Sequence, residues 1–134
     1  MSMTFELWIL LCAALLGLIH LTAASFTFKA QVGNRYTVGP RDENLQPAGI
    51  AGRLHRAQMN FLETFSIFAT CVVVVHLSDT YGALSYWGSV LYLVGRILFL
   101  PLYAAGIPWL RTFSWNLATL GLVLVGTQVV VGSP

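Results

Sequence analysis

The chain has 134 residues, of which 57% are hydrophobic and 9% are charged, and its formal net charge is +2. Soluble domains carry roughly a quarter charged residues, and a soluble domain of this length leaves too much surface in water to hide so much apolar area. The composition therefore argues against a soluble globular domain, predicts a membrane protein, and disfavours nucleic acid as a partner.

Four apolar runs predict four membrane-spanning helices separated by polar segments. Each run is close to the ~20 residues that a helix needs to cross a hydrocarbon core, and a helix satisfies its own backbone hydrogen bonds there. The expected fold class is an all-α integral membrane four-helix bundle, formed by residues 1–134 as a single domain. The spans cover about residues 5–26, 56–77, 83–106 and 112–131, and a polar loop covers about 29–55.

The first apolar run is predicted to be a membrane span rather than a cleaved signal peptide. Residues 1–6 contain no Lys or Arg, and the run is longer than the apolar core of a typical signal peptide. The small residues 22–25 resemble a cleavage site, which leaves removal of this run as the alternative.

The basic residues predict the orientation of the chain in the membrane. Five of the seven lie in or beside the first loop, and the positive-inside rule therefore places this loop in the cytoplasm and both termini outside. The same orientation puts Arg111, at the start of the fourth run, on the cytoplasmic side. The five residues are Lys29, Arg35, Arg41, Arg53 and Arg56.

Two ionisable residues, Glu63 and Arg96, lie well inside the second and third apolar runs. Charged side chains at such depth are costly and usually face the bundle interior with a partner. Counted from the cytoplasmic ends of their runs at ~1.5 Å per residue, Glu63 lies about 11 Å deep and Arg96 about 15 Å deep. These similar depths predict a Glu63–Arg96 ion pair, either within a subunit or across a subunit interface.

Helical spacing places further polar residues beside these two charges. Arg56, Asn60 and Glu63 are spaced i, i+4 and i+7, so they share one face of the second run, and Arg96 and Tyr103 share one face of the third run. Together with Arg111 they predict a cavity that opens towards the cytoplasm. Such a lining suits a small ligand that carries carboxylates, because arginine binds carboxylates bidentately.

Each of these residues also has a purely structural interpretation. Arg56 and Arg111 lie near helix ends, where long basic side chains reach the headgroups. An isolated Asn60 would join two helices by a hydrogen bond, and Glu63 and Arg96 would form a structural pair. Their alignment at one end of the bundle favours a binding site.

The histidine and tryptophan residues predict no further site. His20 lies near the cytoplasmic end of the first run and His76 at the opposite end of the second run, which argues against a two-histidine haem or metal site. Trp87, Trp109 and Trp115 are interpreted as anchors at the membrane interface.

The polar residues of the second run form a recognisable motif. Residues 53–63 read Arg-Leu-His-Arg-Ala-Gln-Met-Asn-Phe-Leu-Glu, and their spacing Arg-x-x-Arg-Ala-x-x-Asn-x-x-Glu resembles the signature of the MAPEG family, the membrane-associated proteins in eicosanoid and glutathione metabolism. Residues 39–43, Gly-Pro-Arg-Asp-Glu, are similar to the bacterial branch. The resemblance covers the whole chain. Its other positions are Gly95-Arg96 and Tyr103 in the third run and Arg111 in the fourth.

The resemblance implies a homotrimer in a bacterial inner membrane, with glutathione as cosubstrate and no metal. Glutathione would lie between neighbouring subunits near the cytoplasmic face, and lipids and a lipophilic small-molecule substrate would be the other partners. The implied catalytic residue is Arg111, beside the sulfur. The implied glutathione-binding residues are Arg56, Gln58, Asn60, Glu63, Arg96 and Tyr103.

The activity implied by the resemblance is that of a glutathione-dependent transferase or peroxidase in detoxification. A free thiol is mostly protonated at neutral pH, and a nearby guanidinium favours the thiolate by opposite-charge attraction. The thiolate would then attack a lipophilic electrophile dissolved in the bilayer, which explains the location of such an enzyme in the membrane.

Two other functions are compatible with this length and these four spans. A small proton-coupled multidrug transporter would also carry a buried glutamate, but the three arginines make the predicted site positive and favour an anionic ligand. A non-catalytic membrane assembly protein would use the same polar residues only to fix helix packing.

Overall fold

A computed structural model describes residues 2–133, which contain five α-helices and no strand. Four of the helices are long and apolar enough to cross a membrane, and the remaining helix is a short one in the first loop. The predicted all-α fold with four candidate membrane spans is confirmed. The helices are α1 (Phe5–Val32), α2 (Asn34–Val38), α3 (Gly49–Ser78), α4 (Ala83–Ala104) and α5 (Pro108–Gly132).

Three of the long helices extend beyond the predicted apolar runs. Helix α1 continues to Val32 and stops at Gly33, whose φ of 88° is a conformation that glycine adopts at little cost. Helix α3 begins at Gly49, so the whole motif around Arg56 is helical. Helix α5 begins at Pro108, which fits a first helical turn because its missing N–H needs no partner there. A glycine or a proline therefore lies at each of these boundaries.

The first loop is shorter than predicted and is closed by side-chain hydrogen bonds. The amide nitrogen of Gln31 donates to the carbonyl oxygen of Ala48 at 2.6 Å, and its amide oxygen accepts from the Ala48 N–H at 3.1 Å. The Tyr36 hydroxyl accepts from the Leu45 N–H at 2.7 Å. The Gln31 bonds attach the segment before α3 to the end of α1, and the Tyr36 bond attaches it to α2.

Glycines allow α4 and α5 to pack closely against each other. A Cβ on Gly95 would lie only 2.7 Å from the carbonyl oxygen of Ser114, and a Cβ on Gly121 would collide with the carbonyl oxygen of Gly88. Small residues allow such close approach between membrane helices. The contact fixes the register of α4, which carries Arg96, against α5.

The apolar core lies between the four long helices. Phe68 of α3 stacks on Tyr92 of α4 with ring centroids 4.0 Å apart, and the hydroxyl oxygens of Tyr92 and Thr64 are 3.1 Å apart. Tyr92 precedes Arg96 by about one helical turn, so this contact holds α3 and α4 together next to the predicted site. Other buried core residues are Ala13, Val72, Val75, Ala118, Leu122 and Val125.

Polar contacts hold the opposite end of the bundle. Glu6 of α1 is buried, and its carboxylate accepts a hydrogen bond from the Ser85 hydroxyl of α4 at 2.7 Å. The side-chain oxygen of Gln128 on α5 accepts from the backbone N–H of Leu84 at 3.2 Å. The beginnings of α1 and α4 are thus tied to the end of α5.

Candidate functional site

A cavity of about 200 Å³, called the site cavity below, brings together three of the predicted site residues. Asn60 comes from α3, Tyr103 from the last turn of α4 and Arg111 from the first turn of α5. The short connection between α4 and α5 explains why Tyr103 and Arg111 meet although each is at a helix end. The remaining lining residues are Phe99, Thr112 and Trp115.

Tyr103 is in contact with two arginines. The Nε of Arg56 donates a hydrogen bond to the Tyr103 hydroxyl at 3.3 Å. The guanidinium carbon of Arg111 lies 4.5 Å from the centroid of the Tyr103 ring, a cation–π distance. Two positive charges from α3 and α5 therefore border one phenol, and this charge arrangement attracts an anionic ligand.

Arg96 lies behind the site cavity and is fully buried. Its Nη1 donates to the side-chain oxygen of Asn60 at 2.8 Å. Its guanidinium carbon is 4.2 Å from the ring centroid of Phe99 and 5.4 Å from that of Phe61. Arg96 thus reaches the cavity lining through Asn60 and Phe99.

The predicted Glu63–Arg96 ion pair is wrong within a single chain. Among residues 2–133, the hydrogen bond that Arg96 makes is to Asn60, and its Nε and Nη2 atoms have no partner. Glu63 is exposed on the surface of the chain. Similar depth along two helices did not imply contact, because depth does not specify the direction of a side chain around the helix axis. A pair across a subunit interface stays a prediction.

The structure places Gln58 away from the other predicted residues. It is half-buried and lines a separate cavity of about 210 Å³ between the end of α1, the first loop and α3. Gln58 is two residues before Asn60, and side chains two residues apart on a helix point in nearly opposite directions. Within one chain, Gln58 therefore does not contribute to the site cavity.

Two aromatic residues of the site cavity were not predicted from the sequence as site residues. Phe99 is one helical turn before Tyr103, and their ring centroids are 5.3 Å apart. Trp115, which the sequence suggested as an interfacial anchor, is one turn after Arg111 and lines the cavity. Phe99 and Trp115 are each four residues from a predicted site residue, and this spacing was the signal that would have identified them as neighbours of the site.

Arg53, the first arginine of the motif, has a structural contact. Its Nε donates to the backbone carbonyl oxygen of Ala104 at 2.8 Å. The last carbonyl groups of a helix lack partners within the helix, so Arg53 completes the end of α4. This bond attaches α3 to the end of α4 that carries Tyr103.

A comparison with protein families identifies the chain. The model of the MAPEG family matches residues 7–131, which include all the residues of the site cavity. No curated protein matches the chain. Since the family match covers most of the chain and four of its helices can span a membrane, the chain is an integral multi-pass membrane protein that belongs to the MAPEG family.

Proposed function

We propose that the chain is a glutathione-dependent transferase or peroxidase that acts on lipophilic electrophiles. Membership of the MAPEG family, which includes glutathione transferases and related enzymes, supports this activity. The observation that carries the proposal is the convergence of Tyr103, Arg111 and Asn60 on one cavity, with Arg56 and Arg96 in direct contact with its lining.

The charge of the site matches that of glutathione. The tripeptide carries two carboxylates, one ammonium and one thiol, so its binding needs several cations and at least one acidic group. Arg56 is the cation proposed to bind a carboxylate directly, and Arg96 is the buried cation proposed to support carboxylate binding through Asn60. Asn60 and Tyr103 add polar groups between them. Glu63, on the same helix face as Asn60, is the proposed partner of the ammonium.

Arg111 is the proposed catalytic residue because it lines the cavity and its position is fixed by Tyr103. A guanidinium beside the sulfur favours the thiolate, which is the nucleophilic form. With an aryl halide, the thiolate attacks the ring carbon, a carbon–sulfur bond forms, and halide leaves with its electron pair. The aromatic side chains of Phe99 and Trp115 give the cavity an apolar wall suited to an electrophile that arrives from the bilayer.

The proposed assembly is a homotrimer with the site completed by a neighbouring subunit. Glu63 supports this assembly because an exposed carboxylate inside a membrane span would be costly against lipid. A second copy packed on α3 would cover it. The proposed location is a bacterial inner membrane with the loop between α1 and α3 in the cytoplasm, which the basic residues of that loop support.

The substitution Arg111→Ala tests the proposed catalytic role. Protein purified in detergent should bind glutathione, and the variant should keep this affinity while conjugating a lipophilic aryl halide about 100-fold more slowly, since one electrostatic contact to the developing charge is lost. Isothermal titration gives binding and absorbance of the conjugate gives the rate. Arg35→Ala, on an exposed arginine of α2 outside the site cavity, is the matched control. Absence of binding by wild type at millimolar glutathione would contradict the proposal.

A further inference from the structure

His20 of α1 is a fully buried histidine that the proposed mechanism does not use. Between residues 2 and 133, neither of its ring nitrogens has a hydrogen-bond partner, and the same holds for Nε and Nη2 of Arg96. Buried polar groups in folded proteins are nearly always paired with protein or ordered water. Four unpaired buried nitrogens on two neighbouring side chains therefore require an explanation.

The two side chains meet at one aromatic ring. The imidazole of His20 stacks on Phe61 of α3 with centroids 4.8 Å apart, and the Arg96 guanidinium carbon is 5.4 Å from the centroid of the same Phe61 ring. Gly17, three residues before His20, allows this approach, because a Cβ there would lie 3.0 Å from the Phe61 ring. The imidazole from α1 and the guanidinium from α4 thus pack against the same ring of α3.

The hydrogen-bonding chemistry of the two groups is complementary. A guanidinium has only donors, whereas a neutral imidazole has one donor and one acceptor. Asn60 already accepts from Nη1 of Arg96 on the side of the site cavity. The Nε and Nη2 groups remain as donors, and the ring of His20, which packs on the same Phe61 ring, has an acceptor that is unpaired within residues 2–133.

We propose that His20 is a positioning residue for Arg96. A ring nitrogen of His20 accepts a hydrogen bond from one buried water that in turn accepts from the guanidinium, and this bridge holds the guanidinium in the orientation in which Nη1 bonds to Asn60. His20 itself does not contact the ligand. The inference rests on the proposed function in one respect, that Arg96 supports the binding of a glutathione carboxylate through Asn60.

Two substitutions distinguish the contribution of the hydrogen-bond acceptor of His20 from that of its stacking on Phe61. His20→Phe keeps an aromatic ring against Phe61 and removes the acceptor, whereas His20→Gln keeps an acceptor and loses the stack. We expect His20→Phe to raise the Kd and KM for glutathione about tenfold with kcat little changed, the loss expected for one hydrogen bond to a charged group. His20→Gln should stay near wild type. If His20→Phe instead kept the wild-type Kd for glutathione and His20→Gln raised it, the proposal would be overturned, because the aromatic packing of His20 and not its acceptor would then matter.

A spectroscopic measurement tests the same contact on ligand-free wild-type protein. The chain has three histidines, so the ¹⁵N signals absent from His20→Gln identify the His20 ring. The unprotonated nitrogen of His20 should resonate at the position of a hydrogen-bonded acceptor, and a free acceptor position would overturn the proposal.

The two measurements distinguish failure of the inference from failure of the proposed function. If the His20 nitrogen is hydrogen-bonded but wild type binds no glutathione, the acceptor role of His20 stands and the proposed function fails. If wild type binds glutathione and His20→Phe binds it equally well, the positioning role fails and the proposed function stands.

Discussion

Asn60 connects the most deeply buried charge of the bundle to the site cavity. Its side-chain oxygen is the acceptor for Nη1 of Arg96, and Asn60 also lines the cavity. A buried guanidinium has lost its hydration, so leaving it without an acceptor is costly. Asn60 should therefore contribute to the stability of the folded chain as well as to ligand binding.

The substitution Asn60→Ala should lower the free energy of unfolding by about 2–4 kcal/mol, because it removes the acceptor of a buried charge. Asn60→Asp, which retains an acceptor, should recover most of this loss. Thermal unfolding in detergent, followed by circular dichroism, measures both. Asn116→Ala is the matched control on an exposed asparagine of α5. Equal effects of the two alanine substitutions would show that the bond to Arg96 adds no stability.

At the level of helices, the packing of α4 on α5 depends on particular glycines. A Cβ on Gly121 would lie 2.5 Å from the backbone nitrogen of Tyr92 and would collide with the Gly88 carbonyl oxygen. These obstacles are backbone atoms, which cannot rotate away as a side chain can. Because Arg111 reaches Tyr103 across this helix pair, separation of α4 and α5 would also disturb the site.

We expect Gly121→Ala to destabilise the chain by about 1–3 kcal/mol, the usual cost of forcing extra atoms into a packed interior. Gly126→Ala, on the same helix, is the matched control, because the nearest atom of another helix to a new Cβ there would be the Cys71 sulfur at 3.7 Å, an ordinary contact distance. Since alanine is the better helix former, the control should be neutral or slightly stabilising. Equal unfolding temperatures for the two variants would refute the close backbone contact.

For the whole molecule, the sequence predicted the four helices better than the contacts between them. Span number follows from the length of apolar runs, which is a property of each segment alone. The contact of Arg96 with Asn60 rather than Glu63 depends on how α3 and α4 are rotated about their axes, and the spacing within one helix cannot define that rotation. The early start of α3 at Gly49 was missed because its first turns, which contain two glycines and follow Pro47, were interpreted as the end of the loop.

The exposed position of Glu63 supports the assembly of several copies of the chain. Its helix is long and apolar enough to span a membrane, yet its carboxylate lies on the outer surface of the bundle. A charged group facing hydrocarbon is destabilising by several kcal/mol, whereas the same group between subunits gains polar partners. The proposed homotrimer resolves this conflict.

The substitution Glu63→Leu therefore distinguishes an interface from a lipid-facing surface. If a neighbouring copy provides polar partners for Glu63, leucine leaves those partners unpaired, and native mass spectrometry in detergent without glutathione should show less trimer and more monomer than wild type. Glu43→Leu, on an exposed glutamate of the first loop, should leave the distribution unchanged. If Glu63 faced lipid, leucine would instead stabilise the chain and leave the oligomer as it was. A monomeric wild type would contradict the proposed trimer directly. The site cavity would then have to bind glutathione with the residues of one chain.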